Sequence, residues 1–466
     1  MAEKIRKEPS NPVAYNERGL ARSRLQKYAE ALEDFKRAAD LDSKNADYRA
    51  NLGYILWKLG KTDEAVAAER KALELEPKNF TANYQLGRFL LRTGNEKFIR
   101  EATEKLKTAI EIDPRQYEIR FELIAAFRQL NETAAALAQL DILQEALPSN
   151  ARVNYVSALL FLDRRDYKSA IEAFHEALRK DENLSSARQD LGLLYIKQGD
   201  WTQAEETFAE LARRQSDSAV AAYFHALALY NLKKMPEAET EVRRSLRLNV
   251  SEAEAHTLLG IILTNKGNSD AEAIESLSQA VAVAPENFDA LFYLGRVQYL
   301  SKNYTDAIKN LKSAVNLNKT NTEVRFFLGS ALEAVGDSDA ALAEYSELTK
   351  LDSKSEYGQI GLGVLLLKQG KADEAIASLK IAVGRNEKNF EANWALGRAF
   401  FLRENFAEAE DYLQKAVEIA PNRTDARYQL GLTLRRLGKT EEAAKQFAMV
   451  EQINKDFREG KDNLDQ

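Results

Sequence analysis

The chain repeats itself every 34 residues, and that period restricts its fold more than any other property. The clearest copy runs from Phe390 to Arg423. With Phe390 as position one, Leu396 and Gly397 stand at positions seven and eight and Phe400 at eleven. Ala409 follows at twenty, Leu413 at twenty-four, Ala416 at twenty-seven and Pro421 at thirty-two. Apolar residues recur three and four apart on both sides of Arg403-Glu404-Asn405. That is the spacing of two amphipathic helices joined by a short turn. Position twenty is alanine in all thirteen copies: residues 31, 65, 102, 136, 170, 204, 238, 273, 307, 341, 375, 409 and 443. Position eight is glycine in ten of them. Small residues at fixed places on both helices predict a close approach, small facing small. A larger side chain there would overpack by about 1–3 kcal/mol.

The copies begin at Pro12, Ala46, Phe80, Tyr117, Ala151, Ser185, Ala219, Ala253, Phe288, Thr322, Glu356, Phe390 and Thr424, and the last ends at Phe457. Repeat three carries three extra residues within GNEKFIREATEKL. They amount to nearly one helical turn, which a longer second helix or an extended turn would absorb. Repeat eight has one extra residue in NKGNSDAEA. Repeat four departs furthest from the pattern, with Ile124 at the small-residue site and Leu143 at position twenty-seven. Pro236 falls at the start of the second helix of repeat seven, where proline is tolerated. In repeat one, Arg18 and Arg22 replace apolar residues, as expected for the polar outer face of a capping repeat. Residues 1–11 read as a charged lead-in and 458–466 as a polar tail. Each helix is only about 13 residues long and marginal alone, so stability must come from stacking. That is why a length suited to about three globular domains is read instead as one continuous solenoid over 12–457.

The period and its small/large pattern resemble the tetratricopeptide repeat, across residues 12–457. The resemblance implies an all-α fold, a right-handed alpha-alpha superhelix, with first helices on the concave face and second helices on the convex face. It also implies that positions two, five, nine, twelve and thirteen face the groove. Position five is aromatic in eight repeats: Tyr84, Phe121, Tyr155, Tyr223, Phe292, Phe326, Trp394 and Tyr428. Position twelve adds Trp57, Tyr230, Tyr299 and Phe401. Position nine is apolar at Leu159, Leu193, Leu227 and Ile261 and arginine at Arg88, Arg296 and Arg398. The candidate binding residues are therefore Tyr84, Arg88, Phe121, Tyr155, Leu159, Tyr223, Leu227, Tyr230, Phe292, Arg296, Tyr299, Phe326, Trp394, Arg398 and Tyr428. Aromatics and arginine dominate binding hot spots, although position-five aromatics also pack between repeats. Position two is acidic at Asp47, Glu118, Glu254, Asp289, Glu323, Glu391 and Asp425. These residues either make an acidic groove edge or complement the helix N-terminal dipole.

Two variants of the family are not expected. The chaperone-tail clamp places Lys and Asn at positions five and nine, where this chain has pairs such as Tyr84/Arg88 and Tyr155/Leu159. The sugar-transferase type carries an asparagine ladder at position six. Only Asn51 fits it here, while Asp190, Phe224, Tyr293 and Phe327 do not.

A net charge of −6 over 466 residues argues against a nucleic-acid partner. The absence of cysteine excludes disulfides, zinc–thiolate sites and thiol nucleophiles. No apolar run approaches the roughly 18 residues of a membrane span, so direct membrane insertion is not expected. The start MAEKIRKEPSNP has no hydrophobic segment, and no signal peptide is expected. That points to the cytoplasm for the sequence as it stands, or to the periplasm or secretion if a leader has been removed. His175, His225 and His256 are the three histidines, too few in reach of further ligands to predict a metal. No catalytic residues and no cofactor are expected. The sequence reads as a non-catalytic scaffold that captures a peptide or helix of a partner protein in its groove. The alternatives are an assembly component that self-associates through a terminal repeat, since no capping helix is visible after QFAMVEQINKDF, and a regulatory arm of a larger complex.

Overall fold

The computed structural model describes residues 2–249, 251–267 and 270–458. Arg458 ends the last helix, and the rest of the expected polar tail, 459–466, lies outside the described residues. Among them there is no strand. Part of the charged lead-in is helical, Ala2–Lys7, and thirteen helix pairs follow, from Pro12–Arg24 with Tyr28–Leu41 to Thr424–Arg436 with Thr440–Arg458.

Contacts gather into two units, one through Gln215 (repeats one to six) and one from Ser216 onward (repeats seven to thirteen). Within each unit the two helices of a repeat pack on each other, and the second helix packs on the next first helix. Consecutive first helices also touch. First helices therefore occupy the crowded side of each unit.

Local sequence sets the helix limits. Asn or Ser before a first helix caps it: the Asn79 side chain accepts the Ala82 N–H and Asn389 accepts that of Ala392, which satisfies an otherwise orphaned donor. Position fifteen, in the turn, has positive φ throughout; it is glycine in seven repeats and Gln26, Asn131, Arg165, Lys233, Lys302 or Glu404 in the others. Glycine adopts this conformation freely, whereas another residue gives up about 1–2 kcal/mol. The second helix of repeat three, Glu96–Ile112, has 17 residues where that of repeat two has 14. The insertion is thus absorbed as helix, not as a longer turn. Pro236 sits in the first turn of Met235–Leu248.

All thirteen alanines at position twenty are buried, none more than 2% exposed. The expectation that small faces small needs correcting. A Cβ added at Gly192 would come within 2.6 Å of the Phe208 ring, and one at Gly397 within 2.5 Å of Leu413. Glycine at position eight is a hole, and the large residue at position twenty-four is the knob that fills it. The alanine one turn earlier admits the backbone: its carbonyl oxygen lies 3.3 Å from the same point at Gly87 and at Gly295.

Repeat one also departs from its reading. Arg18 and Arg22 do not form a solvated outer face; they turn onto Asp34 of their own second helix, Arg18 Nη2 at 2.6 Å and Arg22 Nη1 at 2.7 Å. Asp34 is 2% exposed, and a carboxylate so buried requires such partners.

One knob breaks the rule. Position twenty-four of repeat two is Glu69, fully buried against Gly53. Neither carboxyl oxygen has a hydrogen-bond partner. Burial holds its carboxyl well above the usual glutamate value of 4.5. In the folded chain Glu69 keeps a proton that the unfolded chain releases, so its contribution to stability falls as pH rises above that value. Glu69→Leu, the residue at this position in repeats three, four, eight, nine, eleven and twelve, is expected to stabilise the protein by about 1–3 kcal/mol at neutral pH. Thermal melts followed by circular dichroism should show the gain growing with pH from about 4.5 upward. A gain independent of pH would contradict the assignment.

A candidate binding face on the first helices

Position five of each first helix points across the packed side of its unit, and the structure gives its occupants different surroundings. Phe121 and Phe292 are each only 4% exposed. The Arg152 guanidinium lies 4.1 Å above the Phe121 ring and pairs with Glu118 at 2.5 Å. Phe292 is enclosed by Tyr293 and Phe327, with ring centroids at 5.0 and 5.9 Å. The Tyr155 hydroxyl donates to Asp190 Oδ2 on the next first helix at 2.9 Å. Tyr84, Leu159, Tyr223, Leu227, Tyr230, Tyr299, Phe326 and Trp394 are half-buried, and Tyr428 is 51% exposed.

The arginines at position nine are held by aromatics. Arg88 lies 5.3 Å over Tyr84 with Nε 3.4 Å from Glu122, and Arg398 lies 4.8 Å over Trp394. In both cases the ring is four residues earlier on the same helix, so side chains of adjacent turns meet. Arg296 lies 5.5 Å over Phe327. Each such stack contributes about 0.5–1 kcal/mol at an exposed site and fixes the direction of the guanidinium.

The acids at position two divide. Asp47 accepts from Asn79, Glu118 pairs with Arg152, and Glu391 and Asp425 pair with Arg423. Glu254, Asp289 and Glu323, on three successive repeats, have no ion pair among the described residues. Burial, and then the charges of Glu254, Glu252 and Asp289, push the Tyr223 phenol up to about 12.

Sequence reasoning missed a cleft of about 410 Å³ in the second unit. Thr322, Glu323, Phe326 and Phe327 of one first helix line it, with Leu348 of the second helix and Ser355 and Tyr357 at the start of repeat eleven. Tyr357 occupies position two, where most repeats carry an acid or another polar residue; that aromatic was the available signal. A cross-helix pairing of positions four and twenty-three was also missed. Arg120 donates to Gln139 at 2.7 Å, Arg325 to Glu344 at 2.6 Å and Arg427 to Gln446 at 2.9 Å.

His256 makes the same kind of pair with Ser276 at 3.3 Å. His225 stands 3.7 Å from Glu241, and His175 Nε2 lies 3.0 Å from the Tyr195 hydroxyl. Among the described residues no group of three or more histidine, aspartate or glutamate side chains could hold a metal ion. No helix there is long and apolar enough to cross a membrane.

Comparison with known proteins follows the same register. A tetratricopeptide repeat family model matches residues 16–80, 121–185, 271–321 and 360–424, and a second matches 161–228 and 400–462. The TPR repeat-containing protein MJ1428 of Methanocaldococcus jannaschii is 24% identical over 293 residues, 58% of this chain and 50% of that protein. The mitochondrial import receptor subunit TOM70 of Homo sapiens is 26% identical over 221 residues, 46% of this chain and 36% of that one. The chain thus spans half or less of these relatives. Among solved structures, the APC/C hetero-tetramer Cut9-Hcn1 is 16% identical, covering 93% of this chain and 92% of that chain with a TM-score of 0.48.

The geometry separates structural tyrosines from free ones. Tyr155→Phe removes the bond to Asp190 and is expected to lower stability by about 0.5–1.5 kcal/mol. Tyr223→Phe, whose hydroxyl makes no comparable bond, should stay within about 0.5 kcal/mol of wild type. Urea denaturation of both variants checks the pair, and equal losses would remove the distinction.

Proposed function

The chain belongs to the tetratricopeptide repeat family, and from that premise we propose that it is a non-catalytic scaffold whose first-helix face holds a segment of a partner protein. Proteins of this family generally mediate protein–protein interaction. One relative is named as a receptor subunit. The observation that carries the reading is the set of half-buried apolar side chains on first helices, above all Tyr223, Leu227 and Tyr230 on a single helix, Ala219–Asn231. Each is anchored along one edge by packing and open along the other, so a ligand meets a surface that is already ordered. A preformed surface reduces the ordering cost on the scaffold's side. Burial of aromatic area over several repeats supplies the affinity, at about 25 cal/mol for each Å² of apolar surface removed from water. Neither a nucleic acid nor a membrane is part of the reading.

The test is cross-linking mass spectrometry on the complex with a captured partner, beside the double variant Tyr223→Ala, Tyr230→Ala. Cross-links should fall on first helices. The variant, shown by circular dichroism to retain its helicity, should bind at least about tenfold more weakly. Cross-links confined to second helices would overturn the proposal.

A further inference from the structure

The cleft beside Phe326 and Tyr357 is set apart on the first-helix face by its aromatic walls and its charge. Its volume of about 410 Å³ lies within the roughly 300–1,000 Å³ usual for ligand sites. Aromatic rings supply its walls: Phe326 lies 5.2 Å from Tyr357 and 5.3 Å from Phe327, centroid to centroid. Two glycines of repeat eleven let the preceding second helix approach closely. A Cβ on Gly361 would come within 2.6 Å of the Tyr345 ring, and one on Gly358 would collide with Leu348. With neither present, Tyr345 and Leu348 close against the helix Glu356–Lys368, and Tyr357 stands at the mouth, 62% exposed.

Charge names the occupant. Glu323 lines the cleft, and Asp289 and Glu254 hold the same position on the two preceding repeats. Glu286 and Glu254 line a second hollow on that edge. None of these four carboxylates has an ion pair among the described residues, whereas position-two acids elsewhere are neutralised by Arg152 or Arg423 or bonded by Asn79. Arg325 of the same helix is already paired with Glu344, and Arg296 is stacked on Phe327. A row of unneutralised acids beside an apolar cleft is complementary to a ligand with an apolar anchor and flanking positive charges.

Resting on the scaffold reading above, we propose that this cleft takes one aromatic or aliphatic side chain of a basic peptide segment, with the lysines or arginines flanking that anchor opposite Glu323, Asp289 and Glu254. The apolar anchor supplies most of the affinity. The acidic row selects the sign of the flanks and raises the association rate, in a way that salt screens.

The experiment uses the full chain and a labelled synthetic peptide with one central benzoylphenylalanine, a photo-reactive phenylalanine, flanked on both sides by lysines. Two control peptides carry glutamate flanks or a central serine. Fluorescence anisotropy is expected to show binding that weakens with salt, and at least tenfold weaker binding of either control. Tyr357→Ala, at an exposed site that folding does not need, should weaken the lysine peptide severalfold. The triple variant Glu254→Gln, Asp289→Asn, Glu323→Gln should flatten its salt dependence. Irradiation should cross-link Thr322–Phe327 or Ser355–Gly361. No binding of the lysine peptide, equal binding of the glutamate peptide, or no effect of Tyr357→Ala would overturn the proposal. Cross-links on other first helices would overturn this cleft alone and leave the scaffold reading standing. Cross-links on second helices would count against both.

Discussion

The fit of one large side chain into the gap over one glycine holds the helix pair together in ten of the thirteen repeats. Two helices of about 13 residues cannot hold themselves in water. They become stable when the knob at position twenty-four enters the hole at position eight and draws the backbones together. Phe35 over Gly19, Phe208 over Gly192 and Leu413 over Gly397 are the same event in different repeats. Because the hole is made by a missing side chain and the knob by a bulky one, neither changes alone without a void or a clash. Glu69 shows how far the rule can bend. Its stem fills the hole over Gly53 while its carboxyl is left without a partner, a local loss that neighbouring repeats sustain because each stacks on two others.

That interlock also determines which side chains are left out of the helix-pair core. The packed residues of a first helix lie on the faces turned to its own second helix and to the preceding repeat. The rest project to the side where first helices crowd. Position five lies at the border between these roles. Phe121 and Phe292 have been drawn into packing, whereas Tyr223, Phe326 and Trp394 keep an open edge. Identical positions in the repeat thus carry different duties, decided by neighbours such as Arg152 over Phe121, which is supplied by the following repeat.

This explains what was legible in the sequence. The period, the helix pairs, the buried alanines and the tolerance of Pro236 depend on residues close together in the chain and could be read directly. The three-residue insertion was readable in size but not in form: helix and loop were both consistent with it, and only packing along Glu96–Ile112 selected helix. Side-chain directions were not readable, because they depend on partners in other helices. Arg18 and Arg22 looked like solvated cap residues until Asp34, sixteen and twelve positions away, was seen to hold them. The cleft was hidden for the same reason. It is assembled from two repeats, and packing alone brings Phe326, Leu348 and Tyr357 together.

The balance of forces at the first-helix face follows from these arrangements. An ion pair on an exposed edge contributes at most about 1 kcal/mol, so the free carboxylates of Glu254, Asp289 and Glu323 cannot hold a ligand by themselves. Apolar burial contributes about 25 cal/mol per Å², and a single aromatic side chain buries 150–250 Å², roughly 4–6 kcal/mol before ordering costs. On the proposed reading, affinity comes from rings such as Tyr223, Phe326 and Tyr357, and discrimination from the acids beside them. Where arginine is already stacked on the ring, as Arg88 on Tyr84 or Arg398 on Trp394, a ligand must share or displace it, and the charge it meets is positive. The face is thus not uniform. The charge beside each aromatic changes from repeat to repeat, while the helix pairs beneath keep the same packing plan.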